Sequence, residues 1–237
     1  MKNKSSILDV FDDFLSLFYP INCSCCDEPL YKHEKLICNL CYVSLPRFSN
    51  ALNSKNELEK MLDGRVKFNR AFSLFNYQKG SKVQHLLHQL KYNNQPKIGI
   101  LLGEWIVDEI NYSDLKNSDF IIPIPLHPKK EKKRGYNQSL KIAEGLGNKL
   151  GIRVEKNALF RKVFTNTQTK KGKNERWENV KEVFGITPDI LKPNSKIILV
   201  DDVITTGSTI EACSKIINEQ ASIELIIVSL AFASLSN

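Results

Sequence analysis

The sequence has no uninterrupted run of about 18 apolar residues, so it predicts no membrane-spanning helix. Its most apolar N-terminal stretch, residues 6–18, is interrupted by Asp9, Asp12 and Asp13, and no small-residue cleavage site follows it. These features argue against a secretory signal peptide. The apolar residues of the stretch recur at helical spacing, which predicts an amphipathic helix with the aspartates on its polar face. We therefore expect a soluble, cytoplasmic protein.

The sequence also lacks the two glycine-rich motifs that commonly hold nucleotides. No G-x-x-x-x-G-K-[ST] occurs, which argues against a P-loop nucleoside triphosphatase. No G-x-G-x-x-G occurs either, which argues against a dinucleotide-binding domain. A phosphate site in this chain therefore has to use another arrangement of residues.

What is present is a globular composition with a surplus of basic residues. Of the 237 residues, 42% are hydrophobic and 25% are charged, a balance typical of a protein with a packed core. Lys and Arg number 34 against 26 for Asp and Glu, which gives a formal charge of +8. Such a surface attracts polyanions, including phosphates and nucleic acids, although solvated lysines without a partner give the same surplus.

The residue pattern changes along the chain and predicts two units. Residues 1–50 hold the N-terminal helix and most of the cysteines, and residues 49–64 are polar and indicate a connector. Residues 65–237 alternate short apolar runs with helical runs, which predicts an α/β unit with a parallel sheet flanked by helices. The predicted elements are a strand over 71–77, helices over 83–90 and 98–110, a strand over 120–124, a helix over 138–150, a strand over 197–200, a helix over 208–219 and a strand over 225–230.

The most informative stretch is residues 197–209. Four apolar residues at 197–200 predict a strand buried on both faces, and Asp201 and Asp202 follow at its carboxyl end, where open α/β sheets bind ligands. Two such carboxylates can accept hydrogen bonds from hydroxyl groups or help to hold a divalent cation. The next turn supplies amides, hydroxyls and a glycine at the start of a helix, an arrangement that favours an anion. Its residues are Thr205, Thr206, Gly207, Ser208 and Thr209.

This combination suits a sugar that carries a phosphate on its 5′ carbon. The alternative is an ordinary strand followed by a helix that one of the hydroxyl residues caps.

Two Cys-x-x-Cys pairs lie in the N-terminal unit, at the spacing of a zinc ribbon in which four thiolates surround one Zn²⁺. The pairs are Cys23 with Cys26 and Cys38 with Cys41. Cys25 or His33 could replace one of these ligands. Two disulfides or free thiols are the alternative to a metal site, and the absence of a secretion signal argues against disulfides.

A basic segment separates the strand over 120–124 from the next helix. Residues 129–138 include four lysines and Arg134, followed by Gly135 and Tyr136. The segment predicts a charged loop that closes over a polyphosphate with Gly135 as its hinge. It could equally follow a nucleic acid backbone, with Tyr136 available for stacking, or be a solvated charge run.

Residues 197–209 resemble the thirteen-residue signature of type I phosphoribosyltransferases, which bind phosphoribosyl pyrophosphate (PRPP). The resemblance implies that Asp201 and Asp202 contact the ribose hydroxyls and that residues 205–209 hold the 5′-phosphate. It also implies Mg²⁺ as the companion of PRPP.

Over nearly the whole chain, the order and spacing of motifs resemble the ComF family. The segments that carry this resemblance are the two cysteine pairs, Leu90-Lys91-Tyr92, residues 123–128, residues 134–138, Gln168-Thr169, residues 175–180 and residues 197–209. The resemblance implies a zinc-ribbon module fused to a type I phosphoribosyltransferase-like domain. It further implies an association with natural competence and the uptake of single-stranded DNA.

Two functions are compatible with this resemblance. In the first, the chain is a PRPP-binding, phosphoribosyltransferase-like protein, with Lys91 and Arg134 contacting pyrophosphate; whether it also transfers the phosphoribosyl group is left open. In the second, it is a single-stranded DNA-binding accessory protein whose PRPP site is regulatory or vestigial. A partner implied in either case is the DNA-uptake helicase or translocation machinery.

Overall fold

The structure is a computed structural model that describes residues 19–50, 54–110, 112–162, 183–220 and 222–234, without the side chains of residues 112 and 113. The predicted N-terminal helix over residues 6–18 lies outside the described residues. Gln168, Thr169 and residues 175–180 lie outside them as well.

Within these ranges, all of the strands lie from residue 70 onward, with helices between them. Two short helices precede them, α1 (Asn39–Ser44) and α2 (Glu57–Leu62). The following elements are β1 (Arg70–Asn76), α3 (Lys82–Tyr92), α4 (Pro96–Glu109), α5 (Tyr112–Leu115), β2 (Phe120–Pro123), α6 (Pro128–Arg134), α7 (Gln138–Leu150), β3 (Leu159–Arg161), β4 (Phe184–Ile186), β5 (Lys196–Ile204), α8 (Ser208–Gln220) and β6 (Glu224–Phe232). Each strand and helix predicted between residues 71 and 230 is confirmed, with ends that differ by a few residues.

Four of the strands form one parallel sheet, in the order β1-β6-β5-β2. The strands β3 and β4, which the sequence pattern did not predict, form a separate antiparallel pair. The predicted fold class, a parallel sheet flanked by helices, is therefore confirmed. The two central strands are β5 and β6, and the carboxyl end of β5 carries the two aspartates.

The core lies on both faces of the sheet. Ile198 and Val200 of β5 pack into one buried cluster, which α3, α4 and α7 complete. Ile197 and Leu199 pack into a second cluster on the opposite face, together with residues of α2 and α8. Because successive side chains of a strand point to opposite faces, a strand covered on both sides needs a continuous apolar run. This is why residues 197–200 carry no polar side chain.

Helices α4 and α7 pack at backbone contact on the first of these faces. A Cβ atom at Gly103 would collide with the Ile142 carbonyl oxygen, and one at Gly145 would collide with the Ile100 carbonyl oxygen. Glycine is therefore required at the crossing. The close approach fixes α7, whose first residues lie at the carboxyl end of the sheet.

The basic segment is a helix, so the prediction of a loop over residues 129–134 is wrong. Pro128 occupies the first turn of α6, and His127 caps it by accepting a hydrogen bond from the Lys129 backbone. Gly135 ends the helix with a φ of +81°, the left-handed conformation that glycine adopts without strain. The Gly135 hinge of the prediction is thus a helix C-cap.

The segment predicted as a connector contains α2, which packs against the sheet. Leu58 and Leu62 are fully buried, and Asn56 and Glu59 form a capping box at the start of the helix. The Glu59 carboxylate also accepts hydrogen bonds from the Arg70 side chain and the Ala71 amide of β1. Residues 56–62 are therefore attached to the first strand of the sheet.

Among the described residues, no helix is both long enough and apolar enough to cross a membrane.

Candidate functional site

The two predicted carboxylates lie side by side at the carboxyl end of β5 but have different partners. Asp201 Oδ1 accepts hydrogen bonds from the Asp202 amide at 2.8 Å and from the Ser139 hydroxyl at 3.3 Å. Asp202 Oδ2 lies 2.8 Å from Lys91 Nζ, and its other oxygen accepts a bond from the Val203 amide. Lys91 thus reaches the aspartates from the end of α3.

The environment of Asp201 disfavours its charged form. Burial, and then the neighbouring charge of Asp202, raise the pKa of the Asp201 carboxyl from 3.8 to about 7. Asp202, in contrast, has the Lys91 ammonium as a direct counter-ion. Near neutral pH, the Asp201 carboxyl can therefore act either as a hydrogen-bond donor or as an acceptor.

The predicted phosphate-binding turn forms a small cavity of about 40 Å³ at the start of α8. Its lining includes all five predicted turn residues, Thr205, Thr206, Gly207, Ser208 and Thr209, together with Asp201. The hydroxyls of Thr206 and Ser208 lie 3.0 Å apart. Gly207 has a φ of +75°, and a Cβ there would lie 2.8 Å from the Leu62 side chain of α2. The turn therefore requires glycine for both its backbone conformation and its packing.

Arg65 supports this turn from outside, a role that the sequence did not indicate. Its Nη1 donates a hydrogen bond to the Thr206 carbonyl oxygen at 2.9 Å, and its Nη2 pairs with Glu211 at 2.7 Å. Arg65 therefore joins the residues after α2 to the turn and to the first turn of α8. No sequence motif marks Arg65, because its partners are more than 140 residues away.

A larger cavity of about 210 Å³ opens beside the turn. Four predicted residues line it, namely Lys91, Arg134, Asp201 and Asp202, and Thr209 of the turn lines both cavities. The structure therefore brings together all of the predicted ribose-phosphate residues. The lining also includes His127, Lys130, Asn137 and Gln138, which lie in segments that the sequence singled out. Ser139 and Arg161 line it as well, and the sequence did not single them out.

Arg161 is the most informative of these additional residues. It ends β3, and its guanidinium carbon lies 4.8 Å from the centroid of the Phe184 ring in β4. Its Nε atom is buried and has no hydrogen-bond partner among the described residues. A buried guanidinium nitrogen at a cavity wall favours an anionic ligand, because an unpaired buried donor is costly. The larger cavity thus combines two carboxylates with Lys91, Lys130, Arg134 and Arg161.

The prediction that Tyr136 is available for stacking is wrong. Tyr136 is only 8% exposed, and its hydroxyl donates a hydrogen bond to the Leu90 carbonyl oxygen at the end of α3. Burial also raises the pKa of its phenol. Tyr136 is therefore a structural residue, whereas the exposed aromatic residue nearby is Tyr92.

The four predicted thiol ligands form a cluster in the N-terminal part. The sulfur atoms of Cys23, Cys26, Cys38 and Cys41 all lie within 4.8 Å of one another. Those of Cys26 and Cys38 are 3.8 Å apart, which is also roughly the spacing of two ligands in a tetrahedron with Zn–S bonds of about 2.3 Å. Backbone amides of Cys25 and Cys38 point at the Cys23 sulfur. The cluster can therefore hold a structural metal ion such as zinc.

Neither alternative ligand belongs to this cluster. The Cys25 thiol donates to the Lys82 carbonyl oxygen, and burial raises its pKa to about 11, which favours the protonated form. The His33 ring stacks on Tyr31 and contacts the Asn39 side chain. The four-cysteine arrangement is thus the one that the geometry supports.

Comparison with known proteins gives relatives along most of the chain. Competence protein F of Haemophilus influenzae is 26% identical over 228 residues, which cover 91% of this chain and 99% of that protein. DNA utilization protein YhgH of Escherichia coli K12 is 26% identical over 199 residues, or 82% of this chain and 83% of that protein. Competence protein ComFC of Bacillus subtilis is 33% identical over 100 residues, or 42% of this chain and 38% of that protein. No protein-family model matches the chain.

Solved structures give a weaker likeness. Glutamine PRPP amidotransferase from B. subtilis aligns with a TM-score of 0.41 and 16% identity, over 59% of this chain and 30% of that chain. Adenine phosphoribosyltransferase from Saccharomyces cerevisiae aligns with a TM-score of 0.34 and 15% identity, over 72% of this chain and 87% of that chain. Likenesses at this level carry no argument about function.

Fold and site together define an α/β protein with a charged cavity at the carboxyl end of its central strands and a four-thiol site in its N-terminal part. The chain is a homologue of competence protein F, YhgH and ComFC, and the resemblance to the ComF family is confirmed.

Proposed function

We propose that the chain binds PRPP in the paired cavities at the carboxyl end of β5, as a phosphoribosyltransferase-like protein of the ComF type. The observation that carries this proposal is the arrangement of Asp201, Asp202 and the turn at 205–209 around two cavities that share Asp201 and Thr209. The two carboxylates can accept hydrogen bonds from sugar hydroxyls, and the amides and hydroxyls of the neighbouring turn can bind a phosphate. A ribose 5-phosphate has both groups at this spacing in one molecule.

Each part of the ligand has a matching part of the site. Asp201 and Asp202 accept hydrogen bonds from the ribose hydroxyls, and the residues of the small cavity hold the 5′-phosphate through the start of α8. The pyrophosphate lies among the cations of the larger cavity, which are Lys91, Lys130, Arg134 and Arg161. Four cations around one polyanion give both affinity and orientation.

Magnesium is the expected companion of the pyrophosphate. Asp202 is the carboxylate that we assign to the ion, because it lines the larger cavity and the raised pKa of Asp201 makes that carboxyl a poorer ligand near neutral pH. Bound Mg²⁺ would neutralise part of the pyrophosphate charge. Lys91 would then exchange its contact with Asp202 for one with the ligand.

The relatives give this pocket a biological setting. Proteins named for competence and for DNA utilization align with most of this chain. We therefore propose that PRPP binding serves the handling of single-stranded DNA during its uptake, together with the translocation machinery. The four-cysteine cluster holds one structural Zn²⁺. It belongs to a module that we assign to residues 1–50. Because free thiolates persist in a reducing compartment, we place the protein in the cytoplasm.

A second candidate function has its own support in the structure. Helix α6 carries five basic residues and one acidic residue, and its four lysines are exposed. Such a helix fits a nucleic acid backbone, which would make the chain a single-stranded DNA-binding accessory protein with a regulatory PRPP site. Affinity for single-stranded DNA should then fall steeply with salt, since phosphate contacts release counterions.

Titration calorimetry with PRPP and Mg²⁺ tests the first proposal. Asp202→Asn should weaken PRPP binding by about tenfold or more, since it removes a charge-assisted hydrogen bond and a magnesium contact. Asp108→Asn is the matched control, because Asp108 forms an exposed ion pair with Lys149 and lines neither cavity. Equal PRPP affinity for Asp202→Asn, Asp108→Asn and the wild type would refute the proposal.

A further inference from the structure

An exposed aromatic residue contacts Arg134, which lines the larger cavity. Tyr92 is the last residue of α3, and 51% of its surface is exposed. The ring of His88, one turn earlier and also exposed, has its centroid 4.6 Å from that of Tyr92. The Arg134 guanidinium carbon lies 5.4 Å from the centroid of the Tyr92 ring. Because Arg134 also lines the larger cavity, Tyr92 adjoins the proposed pyrophosphate position.

Buried contacts hold Tyr92 and Arg134 next to each other. The hydroxyl of Tyr136 donates a hydrogen bond to the Leu90 carbonyl oxygen, which joins the end of α3 to the residues after α6. Arg134 Nη1 donates to the Gln138 side chain at 2.7 Å. The aromatic ring and the guanidinium are therefore positioned before any ligand arrives. Preorganisation of this kind lowers the entropic cost of binding.

A strip of positive charge continues outward from this pair along α6. Lys129, Lys130, Lys132 and Lys133 are exposed, and none of them forms an ion pair with a described residue. Lys130 lines the larger cavity as well. The strip therefore runs from the cavity wall to the open surface, and Glu131 is the one negatively charged residue of α6.

We propose that Tyr92 and Arg134 form a stacking site for a base of single-stranded DNA whose phosphates follow α6. Tyrosine rings and guanidinium planes both stack on nucleobases, and stacking tolerates any sequence because every base has a π face. A segment of Asp and Glu would pair with the lysines of α6 but has no ring that stacks on Tyr92. The aromatic residue thus favours a nucleic acid over other polyanions.

The same geometry makes the strand and PRPP competitors. Arg134 and Lys130 belong both to the cavity and to the basic strip, so one bound polyanion lowers the attraction for the other. This step rests on the proposed PRPP site. Coupling between two binding equilibria is reciprocal, so each ligand must weaken the other by the same factor.

Fluorescence anisotropy with a labelled oligothymidylate tests the stacking site. Tyr92→Ala should weaken binding of the oligothymidylate by about tenfold, while Tyr92→Phe, which keeps the ring, should bind within about twofold of the wild type. Neither variant should change the affinity for an abasic strand of equal length, which has the phosphates but no bases. Tyr31→Ala is the matched control, because Tyr31 is 74% exposed on the cysteine module.

The stacking site would be overturned if Tyr92→Ala left oligothymidylate affinity unchanged or weakened the abasic strand equally. It would also be overturned if polyglutamate of matched charge displaced the strand as well as an unlabelled oligonucleotide does. Circular dichroism melting of Tyr92→Ala, expected to match the wild type, confirms that the variant is folded when affinity is compared.

Competition is measured by repeating the titration at saturating PRPP with Mg²⁺, at constant ionic strength. PRPP should raise the Kd of the oligothymidylate, and calorimetry without DNA reports PRPP binding separately. If PRPP binds but leaves the Kd of the strand unchanged, the shared-cation inference fails and the proposed function stands. If PRPP does not bind while Tyr92→Ala selectively weakens oligothymidylate, the proposed function fails and the stacking site stands.

Discussion

Asp201 and Asp202 are neighbours in the sequence, yet the strand places them in different environments. Asp201 lies against α7 and accepts a hydrogen bond from Ser139, while Asp202 faces the ammonium group of Lys91. Burial is therefore the main influence on the pKa of Asp201, whereas the Asp202 carboxylate lies in an ion pair with Lys91. Two carboxylates with different partners can make different hydrogen bonds to adjacent hydroxyls of one sugar.

The raised pKa of Asp201 predicts an unusual dependence of stability on pH. A carboxyl whose pKa rises from 3.8 to about 7 on folding binds more protons when folded, so its contribution to the free energy of unfolding falls as pH rises through this window. Asp201→Asn, which mimics the protonated form, should match the wild type near pH 3, below both pKa values, and be more stable by about 2 to 4 kcal/mol near pH 8, above both. Thermal melts of both proteins at these pH values measure the difference.

Equal differences in melting temperature at both pH values would contradict this assignment. Asp119→Asn is a useful comparison, because Asp119 is an exposed carboxylate that accepts a bond from the Lys196 amide and has no buried acidic neighbour.

At the scale of elements, the phosphate-binding turn depends on a helix that is far away in the sequence. The side chains of Met61 and Leu62 in α2 pack against Gly207, and Arg65 bonds to the Thr206 carbonyl oxygen. Asn56 and Glu59 attach α2 to β1 by buried hydrogen bonds. The turn is therefore held from behind by residues 56–65, which are in turn held by the sheet.

This arrangement predicts a selective effect of Arg65→Ala. The substitution removes the support of the turn but no residue of the larger cavity, so affinity for ribose 5-phosphate should fall by roughly three- to tenfold. Affinity for inorganic pyrophosphate with Mg²⁺ should stay at the wild-type value. Calorimetry with the two ligands measures the two halves of the site separately, and Lys67→Ala is the control for loss of a nearby positive charge.

A comparable loss of affinity for both ligands would indicate that Arg65 acts on the whole fold rather than on the turn. Retention of full ribose 5-phosphate affinity would show that the turn needs no support from Arg65.

How far the sequence predicted these elements depended on their hydrophobic pattern. The strand at 197–200 was predictable because both of its faces are buried, and the helix at 138–150 because its apolar residues recur at helical spacing. Helix α6 was not, because none of its residues is buried and its helical character comes from Pro128 and the caps. Helix α2 has only six residues, and β3 and β4 have three each, too few to show a period.

The residues of the site also differ in how far the sequence could predict them. The sequence predicted the residues that lie together in one stretch, 201–209, because their chemistry is visible as a motif. Ser139, Arg161 and Arg65 were missed because only the fold brings them to that stretch. Tyr136 was assigned to stacking because it follows a basic run, whereas its burial depends on packing against α3.

At the scale of the whole molecule, the cysteine cluster is packed into the main core. Cys23, Ile37 and Leu45 share a buried cluster with side chains of β1, α3 and α4. Arg47 strengthens this contact, because its guanidinium lies about 5.0 Å from the ring centroids of both Tyr42 and Phe75. The metal site and the sheet should therefore unfold together.

Removal of the metal should lower the stability of the whole chain in one transition. A strong chelator should reduce the melting temperature of the entire protein, since metal binding free energy is part of the folding free energy. Metal analysis should find one zinc per chain, retained in Cys25→Ser and lost in Cys41→Ser, because Cys41 belongs to the cluster and Cys25 does not. Two separate transitions, or loss of zinc in Cys25→Ser, would contradict this account.

The central claim is that the carboxyl end of β5 holds a ribose and its 5′-phosphate. A crystal structure of the chain grown with PRPP and Mg²⁺ tests it most directly. The account predicts the 5′-phosphate within hydrogen-bond distance of the amides at 205–209 and the ribose hydroxyls on Asp201 and Asp202. A ligand bound elsewhere on the chain, or a turn closed against the phosphate with both aspartates away from the sugar, would contradict it.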